Sequence, residues 1–171
     1  IDPEHLDFHG NFENLKNAFR SFVKNIPFYG FAVVCIDHPV VQELVQQIPD
    51  RRIITYGFDK ESDVQASKIT ATETGSCFDV ILRDRGKTNN GSIERLELPM
   101  YGEHNVLNSL AAIAISLEMG MHVDLIRAGL RDFKGVKRRF TKTGICNGIV
   151  VIDDYGHHPV EIHAALSAAR L

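Results

Sequence analysis

The run Phe31-Ala32-Val33-Val34-Cys35-Ile36 is apolar at every position. A strand without a polar face cannot lie with one side in water. It has to be covered on both faces, as in a parallel sheet with helices above and below. The flanking segments have helical period. Before the run, Phe12, Leu15, Phe19, Phe22, Val23 and Ile26 repeat at 3-4 spacing, predicting a helix from about Asn11 to Asn25 with Asn11 as its N-cap. After it, Asp37-His38-Pro39 opens a second helix with Val40, Val41, Leu44, Val45 and Ile48 turned inward. Arg52 to Thr55 reads as the next strand. Strands alternating with helices are βαβ units, so the class is α/β with a mostly parallel sheet and flanking helices.

The rhythm changes at about Asp63. Val64–Ile69, Cys77–Leu82 and Ile93–Leu98 follow one another closely, with turn signals at Thr74-Gly75 and Asn89-Asn90-Gly91. This predicts an antiparallel extension of the same sheet. A long helix is expected over Asn105–Met119, burying Val106, Leu107, Leu110, Ala111, Ala114 and Leu117 and ending at Gly120. A shorter one follows over about Val123–Phe133. Lys134–Phe140 reads as a linker. Two short strands, 140–143 and 149–152, flank an Asn147-Gly148 hairpin turn, and 159–171 has a helical pattern.

Composition excludes several classes. The net charge of −3 is interspersed along the chain, which argues against a nucleic-acid or membrane-surface partner. No apolar run approaches the roughly 18 residues of a membrane span. The three cysteines, Cys35, Cys77 and Cys146, are odd in number and widely spaced. That suits a reducing cytoplasm better than a disulfide framework or a zinc site. A start at Ile1 and a stop within a helical pattern lead to the expectation of a fragment of a longer protein.

Four stretches carry residues able to do chemistry. Val150-Val151-Ile152 reads as a buried strand. It delivers Asp153-Asp154-Tyr155-Gly156-His157-His158 to a turn before Pro159 opens a helix. The end of a strand at a helix start is where α/β proteins place their sites, although His157 or His158 could simply cap the helix. Gly102-Glu103-His104-Asn105-Val106-Leu107-Asn108 opens the long helix. Asn105 is either its cap or, with Asn108 one turn on, one of two carboxamides able to read a purine edge. His5 and His9 bracket Asp7, either as solvated side chains or as a source of a metal ligand. An imidazole with oxygen ligands suits Mg²⁺ or Mn²⁺ rather than zinc. Arg138 and Arg139 are either a solvated basic linker or a phosphate clamp.

Taken in order, these stretches resemble the Mur ligases of peptidoglycan precursor synthesis. The residues that carry the resemblance are Asp2-Pro3-Glu4-His5-Leu6-Asp7, then Asn25-Ile26-Pro27-Phe28-Tyr29-Gly30, Gly102-x-His104-Asn105-x-x-Asn108, Gly135-x-x-Arg138-Arg139-Phe140 and Asp153 to Pro159. The similarity is nearest the branch that adds L-alanine to UDP-N-acetylmuramate, using ATP and Mg²⁺ or Mn²⁺ through an acyl phosphate. It implies that residues 1–137 are the later part of a central ATPase domain. Residues 138–171 would begin a Rossmann-like C-terminal amino-acid-binding domain. By the same resemblance His5 is a ligand of a metal ion. Asn105 and Asn108 read adenine with His104 beside them, and Arg139 and Asp154 hold the nucleotide from the hinge and the C-terminal side. Tyr155 and His157 are the catalytic candidates, toward the muramyl and alanine end.

The chain also departs from the family pattern. The phosphate loop G-x-x-x-x-G-K-[ST] and the acidic metal-bridging ligand do not occur in it. Where sister ligases carry a modified lysine in the first helix, this chain has Phe19, and the resemblance implies that the L-alanine-adding branch manages without that lysine. The 171-residue chain alone is therefore expected to be inactive, with an open sheet edge. The alternatives are a murein-peptide recycling ligase, a nucleotide-binding module without chemistry, and a metal-dependent hydrolase.

Overall fold

Asn11 accepts a hydrogen bond from the Asn14 N–H at 2.9 Å and so caps the helix that follows it. The computed structural model describes residues 1–83 and 91–170. Its elements are α1 (Leu6–His9), α2 (Phe12–Lys24), β1 (Ala32–Cys35), α3 (Pro39–Gln46), β2 (Ile53–Gly57), β3 (Val64–Thr72), β4 (Gly75–Leu82) and β5 (Gly91–Leu98). Then come α4 (Glu103–Glu118), α5 (Val123–Arg131), β6 (Thr141–Cys146), β7 (Ile149–Asp153) and α6 (Pro159–Ala168). The single turn of α1 was not anticipated. The Asn89-Asn90 part of the expected turn before β5 lies outside the described residues.

The main sheet runs β1-β2-β3-β4-β5, with β1, β2 and β3 parallel and β4 and β5 antiparallel additions. A parallel pair normally needs a long crossover. Here β2 and β3 overlap at only two positions, Tyr56 with Val64 and Gly57 with Gln65. The short loop between them therefore suffices, because β3 continues in the direction of β2 one strand over. Two irregularities bend the antiparallel part, at Ser67/Thr70 and Phe78/Val80. Asp79 anchors both, accepting from the Arg95 N–H at 2.8 Å and pairing with Lys68 at 2.9 Å. The Arg95 N–H, first among these partners, holds the Asp79 carboxyl below its ordinary pKa.

The core lies between this sheet and α4. Phe78, Val80, Leu96, Val106, Leu110 and Ile113 are almost wholly buried. α4 is apolar nearly all round because it faces the sheet on one side and α5 and α6 on the other. Its cap is Gly102, not Asn105. Asn105 sits inside the helix, buried, and donates from Nδ2 to the Tyr101 carbonyl at 2.7 Å.

Two apolar stretches are more exposed than their patterns imply. β1 is only half-buried past Ala32, because it forms the sheet edge and pairs with β2 alone among the described residues. For the same reason Phe19 and Phe22 of α2 are 43% and 72% exposed around an open groove beside β1. Val150, Val151 and Ile152 are also exposed, where a buried strand was expected. β6 and β7 form a two-stranded ribbon with no layer against either face among the described residues. Its turn matches expectation: Asn147 and Gly148 both have positive φ, 49° and 79°, as a type I′ hairpin requires.

Candidate functional site

The N-terminus of α4 forms one wall of a cleft. Gly102 lets the chain enter the helix at φ 92°, with His104 folded against it and Ala168 of α6 packed on the same spot. Asn105 lines the cleft and is fixed by its hydrogen bond to the Tyr101 carbonyl. Asn108, one turn on, is exposed at the rim.

The opposite wall is the turn after β7. The Asp154 carboxylate accepts from the Phe140 N–H at 2.8 Å and from the Gly156 N–H at 2.7 Å, joining the turn to the linker. Arg139 pairs with Glu161 at 3.6 Å. The other Glu161 oxygen accepts from the His157 and His158 N–H groups at 3.2 and 3.4 Å. His158 in turn caps α6 through the Val160 N–H, which completes a capping box. The two walls enclose a cleft of about 770 Å³, floored by apolar side chains such as Leu125, Ile126 and Leu130 of α5. A mostly apolar cleft with a few convergent polar groups is the usual form of a small-molecule site.

Two groups in it are electrostatically tuned. Burial lowers the His104 pKa from its ordinary value. Asp154 works against this and Arg139 adds to it, so the imidazole is neutral at pH 7. The Glu161 carboxyl is held below the usual range, first by the His157 N–H and then by the His158 N–H and Arg139.

The structure brings together His104, Asn105, Asn108, Arg139 and Asp154, five of the eight residues singled out from the sequence. Tyr155 and His157 lie outside the cleft. Their rings meet edge-on at 5.1 Å, and the Arg138 guanidinium lies 4.5 Å from the centre of the Tyr155 ring. His5 is exposed at the start of α1, in a left-handed conformation, and its side chain makes no capping hydrogen bond. Among the described residues no three His, Cys, Asp or Glu side chains converge as a metal site. The neighbours of His5 are committed elsewhere, Glu4 to His158 at 3.2 Å and Asp2 to His38 at 3.8 Å. Glu161 was missed. Its signal was the spacing His158-x-x-Glu161, a capping box that begins with an uncommon cap residue.

Residues 1–116 match the Mur ligase middle domain. The chain belongs to the Mur ligase family. Over 170 residues, 99% of its length, it is 57% identical to a UDP-N-acetylmuramate–L-alanine ligase of Rhodospirillum rubrum, and it covers 35% of that protein. A crystal structure of the UDP-N-acetylmuramate–alanine ligase MurC from Thermotoga maritima superimposes with a TM-score of 0.76 at 28% identity, over 98% of this chain and 36% of that one. MurF from Acinetobacter baumannii superimposes with a TM-score of 0.80 at 25% identity, over 98% and 35%. The chain thus spans about a third of the length of the family members it matches. The α/β class and the family resemblance read from the motifs are both borne out.

Proposed function

We propose that this chain is the nucleotide-gripping part of an ATP-dependent ligase that joins L-alanine to UDP-N-acetylmuramate in cytoplasmic peptidoglycan precursor synthesis. The observation that carries the reading is the single cleft in which His104, Asn105 and Asn108 face Arg139 and Asp154. The choice of substrate rests on similarity to relatives of that name. The reaction moves the terminal phosphoryl of ATP onto a carboxylate oxygen, and the amine of L-alanine then attacks the acyl carbon. The C–N bond forms as the C–O bond to phosphate breaks, and the amine proton goes to solvent or to a nearby base. Chemistry of this kind depends mostly on positioning and charge neutralisation.

The cleft fits a purine nucleotide. The Asn105 and Asn108 carboxamides offer paired donors and acceptors to a base edge, and the apolar floor takes its face. Neutral His104 lies beside the base, and Arg139 and Asp154 approach the ribose and phosphates from the far side. Tyr155 and His157 are assigned to the end where the nucleotide sugar and L-alanine meet. Mg²⁺ fits less well. His5 offers one imidazole, and the described residues add no carboxylate cluster around it. The boundary between the two domains is assigned near Arg138. The 171-residue chain by itself is expected not to turn over, since it contains no phosphate-loop sequence.

The test is phosphate release by the full-length protein. Release is expected only with ATP, UDP-N-acetylmuramate and L-alanine together. Asn108→Ala, on an exposed side chain, is expected to raise the KM for ATP about fivefold, the worth of one hydrogen bond near 1 kcal/mol. Phosphate release with a murein tripeptide in place of L-alanine moves the reading to the recycling ligase. ATP binding with no turnover on any acceptor replaces it with a binding module.

A further inference from the structure

Arg138 does not line the cleft, yet it meets both the end of β7 and the turn after it. Its carbonyl accepts from the Tyr155 N–H at 2.8 Å. Its guanidinium carbon lies 4.5 Å from the centre of the Tyr155 ring, and its Nε is 3.9 Å from Asp153 Oδ2. Two residues on, the Phe140 N–H is held by Asp154 at 2.8 Å. Three consecutive residues, the last of β7 and the first two of the turn, are therefore each tied to the strap 138–140. The strap is also strained. Arg138 and Phe140 have φ of 62° and 50°, a region that costs a side-chain-bearing residue free energy unless surrounding contacts enforce it. Here the enforcing contacts are those to the turn. They leave Tyr155 half-exposed but not free. One face of its ring meets the guanidinium, while His157, whose Nδ1 is 3.0 Å from the Tyr155 carbonyl, meets its edge.

We propose that Arg138 is a positioning residue for Tyr155, holding the phenol ring over the strap so that it and Arg139 are presented together, Arg139 to the nucleotide and Tyr155 to the acceptor end. This deepens the ligase reading and rests on it. Arg138 touches neither substrate nor nucleotide and acts through the ring. Backbone bonds fix the turn, and the cation–π contact fixes the ring. The positively charged plane also makes an arginine, with its flat guanidinium, better suited here than a compact ammonium.

In the full-length protein, Arg138→Gln is expected to lower kcat/KM for L-alanine about fivefold, the usual scale of an exposed cation–π contact, with the KM for ATP unchanged. In a Tyr155→Leu background the same substitution is expected to cost nothing more. Equal losses in both backgrounds would mean that Arg138 acts directly and would overturn the proposal, as would an Arg138→Gln protein with wild-type kinetics. If Arg138→Gln does not fold, Arg138→Lys is read by fluorescence. With Tyr155→Trp as reporter, the emission of position 155 is expected to shift to the red when Arg138→Lys is added, and an unchanged spectrum refutes the stack. The spectroscopic reading does not depend on turnover. A wild-type protein without alanine-dependent phosphate release therefore defeats the ligase reading, and an unmoved spectrum defeats this one.

Discussion

Gly102 is the position where backbone, site and the two parts of the chain meet, and Gly102→Ala tests all three. Its φ of 92° and ψ of 142° lie in a region that residues with a side chain rarely enter, at a cost of about 1–3 kcal/mol. A Cβ there would sit 2.7 Å from His104 Cε1, 2.8 Å from its Nδ1 and 2.9 Å from the Ala168 Cβ. The imidazole, which lines the cleft, can swing away. Ala168 cannot move alone, since it is the buried residue of α6 and carries the helix with it. Crowding of this kind costs about 1–3 kcal/mol. The expected loss of stability is thus roughly 2–6 kcal/mol. The assay is urea denaturation of wild type and variant, with Gly129→Ala as control. Gly129 is helical, and a Cβ there meets nothing within 4 Å, so the control is expected to gain about 0.5–1 kcal/mol from the stiffer unfolded chain. A Gly102→Ala midpoint equal to wild type would refute both the backbone and the packing argument. A destabilised variant whose KM for ATP is unchanged would leave the fold argument standing and remove His104 from the cleft's function.

Two further outcomes are expected. Phe78→Ala, at a side chain 1% exposed in the centre of the sheet–α4 core, should cost about 3–5 kcal/mol in the same denaturation assay. The second concerns pH and His104, whose folded pKa lies below its ordinary 6.5. Between 6.5 and the folded value the unfolded chain binds a proton there that the folded chain does not. Stability is therefore fully present above 6.5 and is lost as pH falls through that window. His104→Asn should flatten this part of the stability–pH profile. An unchanged slope would mean that the ring is not buried as described.

Regular elements were legible wherever a local pattern and its partner both lie within the chain. The period of α2, the Asn11 cap, the positive-φ turn at Asn147-Gly148 and the switch from parallel to antiparallel strands all depend on residues close in sequence. Two misreadings share one cause. Phe31–Ile36 was read as covered on both faces and Val150–Ile152 as a buried strand, because both runs are wholly apolar. The pattern records what a strand is built to meet, and among the described residues both runs lie at uncovered edges. Asn105 was misjudged as a possible cap for a different reason. Gly102 takes the entry position because only it accepts φ 92° with His104 and Ala168 packed on it, and Ala168 is 66 residues downstream.

The site follows the same division. The carboxamides on α4 could be read as a pair because one helical turn sets their spacing. That Arg139 and Asp154 close over them could not be read from spacing, and it came only from resemblance. The physical link is now visible. Asp154 spends both oxygens on backbone N–H groups, one in its own turn and one in the strap, so it acts first as the joint between the strap and the ribbon. Arg139 is then aimed by its neighbours, with Phe140 tied to Asp154 and Arg138 tied to Tyr155, and its charge is met by Glu161 at the start of α6. Glu161 is itself held by two backbone N–H groups. On the proposed reading, a nucleotide phosphate arriving at Arg139 would compete with a carboxylate that its backbone partners hold in place. The pair with Glu161 sets the resting position of the arginine.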